Sequence, residues 1–535
     1  MSGAFLAVAV RPGRPVDLTG ALAACEPAPG FVADPVWVPT STGSMAVRTW
    51  RRSDGLLTTV TNRPDRLEAS FGSEAFTTLL ADPGRAEATA DPLGYGAMYT
   101  WQGRDVAAIS TRVELLAHLA TALGEPLTKD LTVAASLAGG GFALPGASGY
   151  REIRGVDPQQ RVAISQGRVE TLANPGAISW HRGDAAPSLP DLVERAVDEL
   201  RSSVGRAVDG VGTEVVVDLT AGNDSHLILA TLLDLGRAHD LQFQTIGGLG
   251  LHDARVASAR AAQLGLRHRL GFPYPTTTAD LADRFRTNAR ITCGLNNAKD
   301  GLRATPERVP EVRISGLYGE LLRGWRTGRS RTRRAVDDPA AVAAAFGAGR
   351  LLLLNQDGQW QADTDLRTEL TLAGTPEISV WHGVHRHYAR GRLRSRATRV
   401  DDYTDAARRY PLYTKALVEV GLDAMWHHPD APLGDLVLEA LAPTLRDAPP
   451  PAPTGSTPAA PAASTDSFMK RGLTTQSDER SSVFADIAAT DSDAWELIDR
   501  AAFRAAVADY PSLGAAQLSL LHGAATAVLW HSTPD

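Results

Sequence analysis

Short apolar runs alternate with turn clusters through the first third of the chain. Runs rich in apolar residues lie at positions 5–10, 56–60 and 106–109, and a helical pattern covers residues 113–123. Short apolar runs bounded by turns are typical of strands. Because helical patches interrupt them, the pattern predicts an α+β domain with layered sheets.

A polar string that contains two prolines, GDAAPSLP at residues 183–190, follows this region. The amphipathic pattern over residues 191–208 predicts a long helix directly after it. We therefore expect two domains, at residues 1–185 and 190–535. Within the second domain, residues 448–463 hold six Pro, six Ala and no charge, which predicts an extended or disordered segment.

The second domain opens with a β-branched run, Val215, Val216 and Val217. Such a run is typical of a strand that is buried on both faces in a parallel sheet. The pattern then predicts a helix at 227–235, a strand at 241–246, a helix at 253–264 and a strand at 312–314. This order predicts a doubly wound α/β sheet, in which ligands bind beyond the carboxyl ends of the strands. The loops after these strands should therefore share one site.

Charge and composition exclude several classes of protein. The chain has 61 acidic and 54 basic residues and a net charge of −7, so it lacks the basic excess of a nucleic-acid binder. Two cysteines without a CxxC pair, and no apolar run of ~18 residues, predict a cytoplasmic protein without disulfides, zinc or a membrane span. None of the few lysines follows Gly, as the Lys of a P-loop must. They are Lys129, Lys299, Lys415 and Lys470.

The loop after the β-branched strand carries the candidate chemistry. It reads LTAGNDS at residues 219–225 and leads into a predicted helix. Small residues let the backbone approach an anion, while the helix amino end and the hydroxyl groups supply the donors that a phosphate requires. The Asp224 carboxylate fits beside phosphates when Mg²⁺ lies between them. Alternatively, Asp224 and Ser225 cap the helix, and the local sequence leaves both interpretations open.

Five segments resemble, in order, motifs of the asparagine-synthetase family of ATP pyrophosphatases. TAGNDS at residues 220–225 resembles its pyrophosphate loop SGGxDS, and SGLYGE at residues 315–320 resembles its [ST]GxG[SG]D motif. Residues 409–412 are similar to its RxPF[LV], residues 468–472 lie where it has a late Lys, and residues 155–171 resemble the end of its amino-terminal domain. The resemblance implies an N-terminal-nucleophile (Ntn) hydrolase-like layered domain. An adenine nucleotide α hydrolase-like sheet with a helical carboxyl-terminal part would follow it.

In that family a carboxylate attacks the α-phosphate of ATP, and a nitrogen nucleophile then displaces AMP to leave an amide. By resemblance, ATP and Mg²⁺ are the cofactors, Asp224 and Glu320 bind the metal, and Lys470 neutralises charge on the phosphorus and on the tetrahedral intermediate. The family's general-base position is Leu317, which cannot move a proton, and Tyr318 is the candidate substitute. The implied residues for ATP and pyrophosphate are Leu219, Thr220, Ala221, Gly222, Asn223, Asp224, Ser225, Ile246, Asp253, Ser315 and Gly316.

Several of these residues also have a purely structural interpretation. Tyr318 fits the core, Lys470 fits a solvated tail, and Asp253 fits the cap of the helix that it begins. His226 fits a partly buried position on a helix. The histidines within residues 382–387 have no carboxylate at zinc-ligand spacing, so we expect them on the surface.

Glutamine-hydrolysing members of the family use a Cys directly after the initiator Met. This chain begins Met-Ser-Gly-Ala, so we expect no glutaminase and an amine that belongs to the substrate. That indicates the branch with β-lactam synthetases and lasso-peptide cyclases. We predict macrolactam closure of a natural-product peptide, with a leader peptidase or leader-binding protein as partner.

Two alternatives stay open. One is a β-lactam synthetase-like or other small-molecule amide ligase. The other is an inactive binding or scaffold homologue in a biosynthetic complex, because Ala221, Leu317 and Glu320 depart from the motifs of the family.

Overall fold

A computed structural model gives the structure of the protein. The residues that it describes are 3–12, 16–23, 25, 32–33, 45–51, 57–61, 76–81, 84–180, 182–183, 185–209, 213–247, 251–271, 277–296, 302, 311–323, 352–372, 386–393, 407–445 and 477–532. The Pro/Ala-rich segment at residues 448–463 and Lys470 lie outside the described residues.

The strands of the described residues form three sheets. They are β1 (Gly3–Val10), β2 (Val32–Ala33), β3 (Met45–Arg51), β4 (Leu57–Thr61), β5 (Phe76–Ala81), β6 (Ala86–Ala90), β7 (Tyr99–Gln102), β8 (Val106–Ser110), β9 (Ile153–Gly155), β10 (Gln160–Ser165), β11 (Arg168–Ala173), β12 (Glu214–Asp218), β13 (Gln242–Ile246), β14 (Arg267–Gly271), β15 (Glu311–Ile314) and β16 (Ala407–Arg409).

The helices lie between and after these strands. They are α1 (Leu18–Ala23), α2 (Val113–Ala122), α3 (Thr132–Gly140), α4 (Leu189–Val208), α5 (Asn223–Asp234), α6 (His252–Leu264), α7 (Thr278–Ile291), α8 (Gly319–Arg323), α9 (Gln356–Leu372), α10 (Lys415–His427), α11 (Leu433–Leu441), α12 (Ser477–Ala489), α13 (Arg500–Ala508) and α14 (Ala515–Ser532). A π-helical turn spans Tyr388–Leu393.

The first eleven strands form two stacked sheets that are antiparallel apart from the β4–β5 pair. Their orders are β2-β3-β1-β8-β7-β9 and β11-β10-β6-β5-β4. Successive side chains of β1 point to opposite faces, as in any strand. Phe5 and Ala7 join the core between the two sheets, whereas Leu6 and Val8 join the core beneath α2 and α3. The predicted layered α+β arrangement is therefore confirmed.

The last five strands form a parallel sheet in the order β14-β13-β12-β15-β16. The chain first builds outward from β12 through β13 and β14, and then returns to the other side of β12 for β15 and β16. The order therefore reverses between β12 and β15, which is the switch point where doubly wound folds bind ligands. This confirms the predicted parallel sheet, and it brings the loops after β12 and β15 to one edge.

Local sequence explains the helices that flank this sheet. The Ser188 hydroxyl caps α4 by accepting a backbone N–H three residues later, and Pro190 lies in the first turn. α6 ends at Gly265, which adopts the left-handed conformation with φ 66°. α5 begins at Asn223, four residues earlier than predicted, because Gly222 is the extended N-cap and the polar residues after it form the first turn.

The carboxyl-terminal helices pack back onto the layered part of the fold. α14 lies against α3 and α7, and most of its side chains are buried. The Lys129 ammonium lies 5.0 Å from the centroid of the Trp530 ring near the end of α14, within range of a cation–π interaction. In the part of the chain that the structure describes, no helix is long and apolar enough to cross a membrane.

His531, beside Trp530, should make the fold sensitive to acid. Burial, reinforced by the Lys129 ammonium, lowers the pKa of His531 from 6.5 to about 4, against the opposing carboxylates of Asp493 and Asp130. In the unfolded chain His531 therefore takes up a proton near its ordinary pKa of 6.5, whereas in the folded chain it does so only near the lowered pKa of about 4. Stability is full above the ordinary pKa and is lost as pH falls towards the lowered value.

We expect a loss of about 2 kcal/mol of unfolding free energy between about pH 7.5 and about pH 5. Urea unfolding at the two pH values measures this loss. His531→Gln should remove most of the difference, whereas substitution of the exposed His118 should leave it unchanged. An equal acid sensitivity in wild type and His531→Gln would show that other groups cause it.

Candidate active site

The loop after β12 is closed by its own side chains. The Thr220 N–H donates to the Ser225 hydroxyl at 3.1 Å, and that hydroxyl donates to the Gly222 carbonyl at 2.9 Å. The Thr220 hydroxyl in turn accepts the Gly222 N–H at 3.0 Å. Ser225 is buried in the loop, whereas Gly222 and Asn223 are exposed. The N-cap of α5 is Gly222 rather than Asp224 or Ser225, so the exposed amino end of this helix is where an anion can bind.

Asp253 connects this loop to the next one. It is the second residue of α6, whose N-cap is Leu251, so the interpretation of Asp253 as an N-cap is wrong. Its carboxylate instead accepts the Ala221 N–H at 3.2 Å and thereby orients the loop backbone. Ile246 ends β13 beside the same loop, because the Leu219 N–H continues the pairing of β12 with β13.

The loop after β15 packs directly against Asp224. A Cβ added at Gly316 would lie 2.9 Å from the Asp224 carbonyl carbon, and one at Gly319 would lie 2.5 Å from the Asp224 carboxylate carbon. At Gly316 the added Cβ would meet backbone, so that position has no room for a side chain, whereas at Gly319 it would displace the side chain of Asp224. The structure therefore brings the two loops together, and the glycines of SGLYGE are the residues that allow it.

Glu320 follows Gly319 in the first turn of α8. Its Oε1 accepts a hydrogen bond from the Tyr388 hydroxyl at 2.9 Å. Asp224 packs against Gly319, and Glu320 is the next residue along the chain, so both predicted metal ligands are neighbours of this glycine. Among the described residues no group of three or more His, Cys, Asp or Glu side chains forms a complete metal centre. Oxygen donors from two carboxylates fit Mg²⁺, which proteins usually hold with one or two carboxylates and the phosphates of the substrate.

Asp218, the last residue of β12, belongs to this site and is not among the residues predicted from the sequence. Its carboxylate hydrogen-bonds the side chain of Ser315 at the start of the neighbouring loop. Burial raises the pKa of Asp218, while the Arg408 and Arg313 guanidiniums and the bond to Ser315 oppose the rise. An acidic residue that ends a β-branched strand is the signal in the sequence that points to it.

Tyr318 lies in a cluster of buried aromatic side chains behind the loop. Its ring is fully buried and its backbone has φ 79°. The ring stacks on Tyr95 at 4.7 Å between centroids, and the rings of Tyr410 and Tyr413 lie at 5.2 Å each. These contacts agree with the core interpretation of Tyr318 and leave its ring enclosed by other rings.

Asp91 ties the aromatic cluster to the layered part of the fold. Its buried carboxyl group accepts hydrogen bonds from the Tyr413 hydroxyl and from the N–H groups of Leu93 and Gly96. Burial raises the pKa of Asp91, and these three hydrogen bonds oppose the rise. The loop at residues 91–96 therefore forms the back of the site and contacts the loop after β16.

The other candidate residues have separate positions. His226 is half-buried on α5, and its pKa is lowered by burial and by Arg260. His387 is buried against the Phe142 ring, so the expectation of a surface histidine is wrong for this residue. Arg409 donates to the Ala207 carbonyl at 2.9 Å and thereby caps the end of α4. Lys470, His382 and His385 lie outside the described residues.

The protein was compared with known proteins. No protein-family model matches the chain, and no curated protein matches it. One similar solved structure is glutamine phosphoribosylpyrophosphate amidotransferase from B. subtilis complexed with ADP and GMP, at 11% identity and a TM-score of 0.12. That alignment covers 44% of this chain and 41% of that chain, so this chain spans about two fifths of the length of that enzyme.

A second similar structure is the allosteric regulatory enzyme of purine biosynthesis, at 10% identity and a TM-score of 0.20. The alignment covers 59% of this chain and 74% of that one. At these TM-scores neither likeness carries an argument about activity. The site therefore has to be interpreted from its own geometry.

Gly319→Ala should damage the site without harming the fold. The new methyl group would occupy the space of the Asp224 carboxylate, which must then turn away. We expect the affinity for ATP with Mg²⁺ to fall at least about tenfold, as for displaced ligands at other metal sites. Isothermal titration calorimetry measures the change.

Gly140→Ala is the matched control, because Gly140 also lies in a helix and nothing lies within 4 Å of a Cβ added there. Equal affinity in both variants would contradict the role given to this contact.

Proposed function

We propose that the protein forms an amide bond with ATP as the driving reactant, as a member of the asparagine-synthetase-like ATP pyrophosphatases. In the first step a substrate carboxylate attacks the α-phosphorus of ATP, and pyrophosphate leaves. In the second step an amine attacks the acyl carbon of the adenylate, AMP leaves, and the nitrogen loses a proton. The products are an amide, AMP and pyrophosphate.

One observation carries this proposal. The TAGNDS loop and the SGLYGE loop meet at the switch point of a parallel sheet, with Asp224 packed against Gly316 and Gly319. These motifs lie 90 residues apart in the chain, so neither their proximity nor the need for glycine follows from local sequence. Switch points are where this class of sheet binds nucleotides.

The residues of the site suit pyrophosphate and its counter-ion. The exposed amino end of α5, which begins at Asn223, offers a backbone donor and a favourable dipole. Asp224 and Glu320 would hold Mg²⁺, and the bound ion would neutralise the charge of the phosphates. Asp253 and Ser225 keep the loop in shape through the bonds to Ala221 and Thr220. Positioning and charge neutralisation are the main contributions that this chemistry needs.

We infer that the amine belongs to the substrate and is not ammonia from glutamine. Cys25 and Cys293 are both buried, and burial raises the pKa of Cys293 well above its usual value. A thiol of this kind is a poor nucleophile.

We therefore propose macrolactam closure of a natural-product peptide, as in lasso-peptide cyclases, with a leader peptidase or leader-binding protein as partner. A genomic neighbourhood with a short precursor peptide and a leader peptidase would support this substrate. Small amino-acid-like precursors nearby would favour a β-lactam synthetase-like ligase.

Asp224→Asn is the direct test of the site. Loss of the loop carboxylate should lower ATP-dependent pyrophosphate release at least about 100-fold, because the phosphate charge is no longer neutralised. A coupled pyrophosphate assay with the candidate precursor peptide and Mg²⁺ measures this. Asp357→Asn is the matched control, because Asp357 is likewise the second residue of its helix and is exposed.

Persistence of pyrophosphate release in Asp224→Asn would refute the site. Absence of any ATP binding by the wild type in calorimetry would refute catalysis and favour the scaffold alternative. The scaffold alternative is based on Ala221, Leu317 and Glu320, the three residues that differ from the motifs of the family.

Lys470→Arg separates the two chemical steps. A guanidinium is larger and more diffuse than an ammonium, so we expect amide formation to fall while ATP affinity stays within about twofold. Mass spectrometry of the peptide product and calorimetry with ATP measure the two quantities. Lys415→Arg, at the start of α10, provides the control. Equal cyclisation by wild type and Lys470→Arg would remove Lys470 from the mechanism.

A further inference from the structure

A partly buried hydrogen bond orients the carboxylate of Glu320. The Tyr388 hydroxyl donates to Glu320 Oε1 at 2.9 Å, and Tyr388 is only 4% exposed. A bond from a hydroxyl to a charged carboxylate is stronger than one between neutral groups, and it gains further strength away from water. It engages one carboxylate oxygen and leaves the other for a second partner.

Tyr388 lies at the start of the π-helical turn Tyr388–Leu393. Such turns are rare and occur frequently at functional sites. The next but one residue of the turn, Arg390, donates to Glu369 of α9 at 3.2 Å and to Asp157 of the layered part of the fold. Arg390 is buried, so this pairing is shielded from solvent. The turn is therefore held to α9 and to the layered part of the fold, which fixes the backbone position of Tyr388.

The ring of Tyr388 is also fixed by its neighbours. Tyr388 and Ala389 belong to the same buried cluster as Tyr95, Tyr318 and Tyr413. The hydroxyl therefore approaches Glu320 from the side of the core. A Glu side chain has one rotatable bond more than Asp, and ordering it costs more conformational entropy. The Tyr388 bond selects one arrangement of this longer side chain before any ligand binds.

We propose that Tyr388 is a positioning residue for Glu320, which enables a Glu to serve as metal ligand at a position where an Asp is the usual residue. The proposal rests on the proposed function, because it assigns Glu320 to Mg²⁺. Tyr388 itself touches neither metal nor ATP. Its effect is on the orientation of the Glu320 carboxylate, and through it on metal affinity.

The test is Mn²⁺ binding to the full-length protein in the presence of a non-hydrolysable ATP analogue, followed by electron paramagnetic resonance of the free ion. Loss of a residue that orients a metal ligand typically weakens the metal by 10–100-fold, so we expect Tyr388→Phe to raise the Mn²⁺ Kd about tenfold. The melting temperature should change by less than about 2 °C, because the ring stays in place. Pyrophosphate release should need more Mg²⁺ but approach the wild-type rate at saturation.

Tyr95→Phe is the matched control. It removes a hydroxyl from the same buried cluster, and within the described residues that hydroxyl has no hydrogen-bond partner. We expect an unchanged Mn²⁺ Kd. A double-mutant cycle gives the second criterion: in a Glu320→Gln background, Tyr388→Phe should have no further effect on the Kd, because the two residues act as one unit.

The outcomes separate this inference from the proposed function. Mn²⁺ binding by the wild type with an equal Kd in Tyr388→Phe overturns the positioning role and leaves the proposed function intact. An additive effect in the Glu320→Gln background overturns it in the same way. No Mn²⁺ binding by the wild type overturns the metal site, and the positioning role with it.

Discussion

The close approach of Asp224 to the loop after β15 is the contact on which the candidate site depends. A Cβ at Gly316 would clash with the backbone of Asp224, and one at Gly319 would displace the Asp224 side chain, so this close approach depends on both glycines. Parallel pairing of β12 with β15 brings the loops to the same edge of the sheet. The strand order and the two small residues therefore serve one requirement: two backbones must come within contact distance at the switch point of the sheet.

The layered part of the fold takes part in this arrangement although it offers no exposed thiol among the described residues. Asp91 holds Tyr413, and Tyr95 stacks on Tyr318. A buried carboxyl group is costly unless it is hydrogen-bonded. Asp91 accepts two N–H groups of its own loop, and its third bond, from Tyr413, forms only when the two parts of the chain meet. Stacked antiparallel sheets thus provide a rigid back wall for the parallel sheet. This gives the amino-terminal third of the chain a structural role that is independent of glutamine hydrolysis.

Sequence periodicity predicted β12, β13 and β15 and the helices after the first two, because continuous apolar runs and a glycine at a helix end are local signals. It did not predict β14 or β16, which are rich in arginine, and the two motif loops were located by resemblance to known motifs. It could not predict the side-chain partners within the site. Asp253 looks like a helix cap until its bond to Ala221 is seen, and Tyr388 has no local feature that connects it to Glu320. Such pairs are set by tertiary packing between segments that are far apart in sequence, which no short pattern contains.

The π-helical turn Tyr388–Leu393 makes the contact to Glu320 depend on the number of residues in the turn. A π-helical turn closes its hydrogen bonds one residue later than an α-helical turn. Each residue of an α-helix is rotated by about 100° from the last. Removing one residue after Tyr388 would therefore swing Tyr388 and Arg390 out of their shared register, so that a helix anchored to Asp157 would no longer point its tyrosine at Glu320.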